Sequence, residues 1–367
     1  MAGVLLTYGA FVRFILLATP SSIHTRRWVR LLEARGHDVV IVPNSEAPSP
    51  RLMGLARWAR HQLQLRLLAR QPGSLLVVHW IPRGWRAMAL LGIHPRVGVA
   101  WGSDVFLPDP NQSDTGTLRL RLQARFLHGC DAVFGTSDAV VRAAIARGAQ
   151  PSRTSTVRFG IDLKRFRPGP DPLALRTRFG LLGKRVVLSN RTIAPIYRQP
   201  TVVEALAQLP PDAVAVMTRH RAAPAELQRI ERLARELGVE ARLLIVDELS
   251  DEDLPDLYRL ASVVVSVPES DGGASTVSEA LGCGCPVVAS DLPSAREWLG
   301  NLDPDGLVPV ADAAATARAI ERALARTPEE RADVARRNRA AVVEGADEQR
   351  AVDALEAVHR RLVRSGG

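Results

Sequence analysis

The feature that most limits what this chain can fold into is a rhythm that runs through it twice. Short apolar runs of strand length, RFILLAT (13–19), VVIVP (39–43), SLLVVHW (74–80), RVGVAW (96–101), DAVFGTS (131–137) and TSTVRFG (154–160), are separated by longer stretches such as TRRWVRLLEARGH (25–37). Apolar runs without polar alternation fit strands buried on both faces, and helical stretches between them make those strands parallel. The segment DLKRFRPGPDP (162–172), rich in charge and proline, interrupts the rhythm as a linker does. The alternation then restarts with KRVVLSN (184–190), AVAVMT (213–218), ARLLIVD (241–247), SVVVSVP (262–268) and CPVVAS (285–290). A chain of 367 residues exceeds the usual size of one core. The reading is therefore an α/β protein of two Rossmann-like, doubly wound domains, 1–167 and 168–346. The helical pattern at 347–364 is expected to pack back on the first.

Composition narrows the partners. The net charge of +9 comes from basic residues scattered along the chain, and all but two of its 48 Lys and Arg residues are arginine. No basic run interleaved with aromatics marks a nucleic-acid surface, whereas anionic ligands or lipid head groups fit. The three cysteines, Cys130, Cys283 and Cys285, form neither a disulfide framework nor a four-ligand zinc set, so small buried residues of a reduced, cytoplasmic protein are expected. The opening MAGVLLTYGAFVRFILLATP lacks a basic start and is broken by Arg13, so it reads as a short leader before a strand. No uncharged run approaches the roughly 18 residues of a membrane span. The stretch 51–70 is basic and amphipathic, with Leu52, Leu55, Ala59, Leu63 and Leu67 toward one side. It fits an ordinary packed helix best and a helix lying on an anionic membrane second.

In doubly wound domains ligands bind beyond the carboxyl ends of the strands, so loops that follow strands carry the chemistry. One such loop stands out: PESDGGASTVSEALGCGCPVVAS (268–290). Gly272 and Gly273 offer close backbone approach, while Ala274, Ser275 and Thr276 can start a helix whose N–H groups face an anion. Asp271 on the loop and Glu279 inside the helix can accept hydrogen bonds from sugar hydroxyls. On these residues alone a plain strand-to-helix connection, with Gly282 and Gly284 ending the helix, explains the stretch equally well.

The same stretch resembles the signature of family 4 glycosyltransferases of GT-B fold: two acidic residues with seven between them, then E-A-x-x-x-G-x-P-V-V-A-S-D, here EALGCGCPVVASD (279–291). Further elements resemble that family in order: SSIHTRRW (21–28), VVHW (77–80), WGSDV (101–105), CDAVFGTSD (130–138), FGIDLKRFRP (159–168) and NRTIAPIYRQP (190–200). The resemblance implies a retaining, metal-independent transfer of a sugar from a nucleoside diphosphate sugar to a hydroxyl acceptor, with no cofactor. The donor would lie in the second domain and the acceptor mainly in the first, facing an interdomain cleft. It implies Asp271, Glu279 and His79 as catalytic residues. Arg191, Arg198, Gly272, Gly273, Ala274, Ser275, Thr276 and Glu279 would bind donor, with Ser22, His24, Ser103 and Asp104 on the acceptor side.

The sequence departs from that pattern in three places. Asp271 stands where glutamate is usual, Arg198 takes the place of a lysine, and only the second histidine of the H-x-H-W element is present. Two other readings therefore stay open: a sugar-nucleotide epimerase of the same fold, and a sugar-nucleotide or glycan binding module without catalysis. A pyridoxal-type phosphorylase lacks a Schiff-base lysine beyond Lys164 and Lys184, and no G-x-G-x-x-G follows the first strand. No D-x-D pair reads as a metal site: Asp251 and Asp253 look like helix-start residues, and Asp303 and Asp305 flank a proline turn.

Overall fold

The computed structural model of the protein describes residues 12–44, 52–106, 117–219, 222–247, 249–250 and 252–365. Residues 1–11 of the expected leader, Asp251 and the side chains of Leu52 and Leu55 lie outside the described residues. The chain divides into two compact units, one of residues 1–158 with 349–367 and one of residues 159–348.

The first unit is built on six parallel strands: β1 (Arg13–Ala18), β2 (Asp38–Pro43), β3 (Ser74–His79), β4 (Arg96–Ala100), β5 (Ala132–Gly135) and β6 (Thr154–Thr156). Their order across the sheet is β2-β1-β3-β4-β5-β6. The inner strands β3, β4 and β5 are buried at every position, as unbroken apolar runs require, while the edge strand β2 is mostly half-buried. Ile15, Leu17, Leu76 and Val78 share one core with Leu65, Phe126 and Leu127 from the covering helices. The tail helix Gln349–Ser365 packs beside the helix Ile23–Ala34 and buries Ala351, Val352, Leu355 and Val358. Arg35 fixes its register by donating to Asp353 at 2.6 Å and to Gln349 at 2.9 Å, and His37 meets Glu356 at 3.0 Å.

The second unit repeats the design with β7 (Arg185–Ser189), β8 (Ala213–Thr218), β9 (Leu243–Val246), β10 (Val263–Ser266), β11 (Val287–Ser290) and β12 (Leu307–Val308), ordered β12-β11-β10-β7-β8-β9. Successive side chains enter opposite cores, because strand residues alternate across the sheet. Val186, Leu188, Val264 and Val287 pack with Tyr258 and Leu281, whereas Val187, Val263, Val265 and Val288 pack with Val203 and Ile320. The two-residue β12 is too short to show as an apolar run.

The division between the units falls ahead of the proline-rich stretch, after Arg158 rather than after Arg167. Ile161 and Phe166 are the reason: both are fully buried in a core of the second unit. Ile161 also bridges to Asp347, and a Cβ on Gly160 would stand 2.2 Å from the Glu348 nitrogen, so only glycine lets these two segments meet.

Both sheets reverse their direction of growth once, between β1 and β3 in the first unit and between β7 and β10 in the second. At such a reversal the loops leaving adjacent strands part in opposite directions and open a crevice beyond their carboxyl ends. The loops after β1, β3, β7 and β10 are therefore the places where each unit can hold a ligand.

Candidate functional site

In the second unit the reversal brings together the loop after β7, which carries Asn190, Arg191 and Arg198, and the loop after β10, which carries Asp271 to Thr276. Asp271 organises both. Its Oδ1 accepts from the backbone N–H groups of Gly273 (3.2 Å) and Ala274 (3.0 Å), and its Oδ2 lies 3.1 Å from Nη1 of Arg191. Ser294 donates to the Asp271 carbonyl at 2.7 Å and pins the loop from the far side.

The backbone turns at Ala274, which lies in the left-handed region (φ 44°) and occupies the cap position of the helix Ser275–Gly282. A left-handed alanine costs about 1–2 kcal/mol. The Asp271 carboxylate offsets that cost by holding the Ala274 N–H, and its hydrogen bonds cap the turn in place of a serine hydroxyl. Val277 donates to the Ala274 carbonyl at 2.9 Å, so the N–H groups ahead of it at the start of this helix are the ones placed to meet an anion.

Arg191 is buried, with its guanidinium 4.3 Å from the centre of the Tyr197 ring and 3.4 Å from the Thr276 hydroxyl. Burial works against its charge, but the Asp271 carboxylate with Tyr197 and Tyr258 outweighs it and holds its pKa above the usual arginine value. Arg198 sits half-exposed at a left-handed position (φ 51°) and pairs with Glu269. The fully buried Gln199 ties this loop down, accepting from Ser189 at 2.9 Å and donating to the Arg191 carbonyl at 3.1 Å.

Glu279 lies one turn into the helix, 8% exposed, and its Oε2 accepts from the Tyr258 hydroxyl at 2.8 Å. That phenol accepts in turn from Asn190 Nδ2 (3.1 Å), whose Oδ1 accepts from Thr218 (2.8 Å). The direction of the chain is fixed, because an amide nitrogen only donates and the phenolic proton must then go to Glu279. Burial, and then the charge of Glu279, raise the Tyr258 pKa well above the ordinary phenol value, so the donor stays protonated. Tyr258, Asn190, Thr218, Gln199 and Glu269 are the site residues that the sequence reading missed.

In the first unit His79 ends β3 and is 1% exposed, packed at 4.9 Å between ring centres against Trp28, with Trp101 at 5.9 Å. Among the described residues neither ring nitrogen has a hydrogen-bond partner. Burial, with a smaller contribution from nearby His24, lowers its pKa to about 3, so the imidazole is neutral. His24 packs on Trp101 at 4.5 Å, and Ser22 is buried at the start of the helix Ile23–Ala34 without capping it through its side chain. Ser103 is exposed beside the indole nitrogen of Trp80, at 3.4 Å. Asp104, expected to face an acceptor, turns inward: Oδ2 accepts from Ile81 N (2.7 Å) and Oδ1 from Trp101 N (3.0 Å) and Gly102 N (2.9 Å). It clamps the β3 and β4 loops together instead.

Cys130, Cys283 and Cys285 are free and buried, and burial lifts the thiols of Cys130 to about 11 and of Cys283 to about 12. Among the described residues no group of three or more His, Cys, Asp or Glu side chains could hold a metal ion, and no helix is long and apolar enough to cross a membrane.

Comparison with known proteins places this geometry in a family. A model described as Glycosyltransferase Family 4 matches residues 21–165, and one described as Glycosyl transferases group 1 matches residues 176–341. The chain belongs to the family 4 glycosyltransferases and has the GT-B fold. D-inositol 3-phosphate glycosyltransferases of Mycobacterium tuberculosis and Mycobacterium bovis are 31% identical to it over 231 residues, 60% of this chain. The match spans about half (48%) of the length of those relatives. Among solved structures, HepE of Anabaena in complex with UDP-glucose superposes with a TM-score of 0.76 at 19% identity, covering 94% of this chain and 99% of that one. Sucrose-phosphate synthase of Thermosynechococcus elongatus gives 0.77 at 19% identity, covering 96% and 100%.

Proposed function

We propose that the protein transfers a sugar from a nucleoside diphosphate donor to a hydroxyl acceptor, with retention at the anomeric carbon. The observation that carries this reading is the convergence, at the β7/β10 reversal, of Arg191 held by Asp271, the N-terminus of the helix Ser275–Gly282, and Glu279 oriented by Tyr258. In these roles Arg191, Arg198 and the helix N-terminus neutralise the departing diphosphate, the main electrostatic task of such a transfer. Protein groups supply that charge, so the reaction is assigned no metal. Glu279 holds the ribose hydroxyls, and Asp271 with the backbone of 272–276 meets the transferred sugar. His79 is assigned to that sugar as a neutral imidazole, and Ser22, His24 and Ser103 to the acceptor side, with Asp104 holding their loop. HepE is known in complex with UDP and UDP-glucose, which supports uracil as the donor base. The second unit is thus the donor domain and the first the acceptor domain of a cytoplasmic protein that touches the inner membrane face peripherally.

A thermal-shift screen with UDP, GDP and ADP tests the donor assignment. A nucleotide at about 100 times its Kd stabilises by about 2.7 kcal/mol, a shift of roughly 5–10 °C for a unit of this size. With the matching sugar nucleotide, diphosphate release that depends on an added hydroxyl acceptor is the expected result. Conversion of the sugar without an acceptor would instead identify an epimerase, and binding without turnover a non-catalytic module.

A further inference from the structure

The two arginines assigned to the diphosphate are each held by an acid from one short stretch, residues 269–271. Arg191 pairs with Asp271 and Arg198 with Glu269, so the formal charges of these four side chains sum to zero. An incoming diphosphate therefore meets occupied cations, and an acid has to yield before its partner can serve the phosphates in full. The two pairs differ in their ability to yield.

The inner pair is locked. Its side chains are 9% and 13% exposed, and Asp271 also holds the Gly273 and Ala274 N–H groups. Releasing that carboxylate would open the turn and leave an uncompensated charge in a largely buried place. The outer pair is open to water, with Arg198 37% and Glu269 40% exposed. A carboxylate released there is taken up by solvent at little cost.

The backbone is anchored on both sides of the outer pair. The Glu269 N–H donates to the Ile196 carbonyl at 2.9 Å, which sets the Glu269 side chain beside the loop that carries Arg198. The Arg198 N–H donates to the Pro195 carbonyl at 3.2 Å, and the Arg198 carbonyl accepts from Thr201 at 3.0 Å. Parting the two charges thus requires side-chain rotation alone. The guanidinium also has donor capacity to spare, since among the described residues its Nε has no partner.

We propose that Glu269 is an exchangeable counter-ion for Arg198. It holds the guanidinium while the crevice is empty, gives it up to the donor diphosphate, and takes it back as the diphosphate leaves. This rests on the glycosyl-transfer reading and adds to it a positioning residue that acts through Arg198. A carboxylate competing for the same guanidinium limits how tightly the product diphosphate is retained, and so favours its release.

Calorimetric titration of UDP into the parent, Glu269→Gln and Glu269→Asp tests the exchange. Glu269→Gln removes the competing charge at unchanged side-chain length and should bind UDP about three- to fivefold more tightly, the upper range for an exposed ion pair. Dissociation of a fluorescent UDP analogue should slow to match. Glu269→Asp keeps the charge and should stay near the parent, while uridine should bind all three proteins alike. In an Arg198→Asn background the Glu269→Gln change should give a smaller gain, because the guanidinium under competition is gone. Weaker or unchanged UDP binding in Glu269→Gln, an equal gain for uridine, or a gain undiminished in the Arg198→Asn background overturns the proposal. A parent that binds none of UDP, GDP and ADP fells the donor reading and the exchange together, whereas binding in the parent with no gain in Glu269→Gln fells the exchange alone.

Discussion

Tyr258 donates its phenolic proton to Glu279 across 2.8 Å from a position with no solvent exposure, while accepting a hydrogen bond from Asn190. A buried carboxylate with a fixed donor on one oxygen has a fixed orientation, and a ribose diol is recognised through orientation. Tyr258→Phe should keep the ring packing against Phe166, whose ring centre is 6.0 Å away, yet weaken UDP by roughly tenfold or more through loss of one charge-assisted hydrogen bond. Calorimetry with UDP, beside a melting curve that moves by only a few degrees, checks this; equal affinity would make Tyr258 a packing residue alone.

Asp271 and Arg191 form a largely buried ion pair, with side chains 13% and 9% exposed. Removing one member leaves the other charge uncompensated, at about 3–5 kcal/mol. Asp271→Ala should therefore lower the melting temperature on the order of 10 °C. Saturating UDP should restore part of the loss by bringing a new anion to Arg191. A melting temperature within a degree of the parent would contradict the pairing.

Arg198 presents its guanidinium from a left-handed backbone position that asparagine tolerates. Arg198→Asn should thus preserve the loop, weaken UDP by about tenfold through one lost charge-assisted contact, and leave uridine binding as it was. Parallel loss of uridine binding would show that the loop itself had moved.

His79 gives the protein an acid-sensitive element. Its pKa is about 6.5 when unfolded and about 3 in the fold, so the unfolded chain takes up a proton in that window and the folded chain does not. Its contribution to stability is fully present above pH 6.5 and is lost as pH falls toward 3, at up to about 1.4 kcal/mol per pH unit. Between pH 7 and pH 5 the melting temperature of the parent should drop further than that of His79→Leu. Superimposable pH profiles would refute this origin for the acid lability.

The sheets could be read from the sequence because buried parallel strands are written as apolar runs; each run from RFILLAT to CPVVAS coincides with a strand of the structure to within a few residues. Only β12, two residues long, left no such mark. The loop holding Asp271 and the position of Glu279 were legible for the same reason, since one follows an apolar run and the other opens the helix pattern after it. The hydrogen-bond chain was not: Thr218, Asn190, Tyr258 and Glu279 come from two strand ends and two helices, and no spacing in the sequence records that sheet order brings them together. Asp104 failed in the opposite way. A polar residue in a glycine turn reads the same whether its carboxylate faces solvent or three backbone amides. Ala274 shows a further limit, because nothing in the sequence marks an alanine as left-handed, and here the Asp271 carboxylate holds it so.

The central claim is that the crevice beyond β7 and β10 binds a nucleoside diphosphate through its ribose and diphosphate together. Calorimetric titration of UDP into the parent and into Glu279→Ala tests it most directly. The account predicts one site in the parent and a loss of at least about a hundredfold in the variant, two charge-assisted hydrogen bonds to a diol, with the fold intact by circular dichroism. Equal UDP affinity in the two proteins would contradict it.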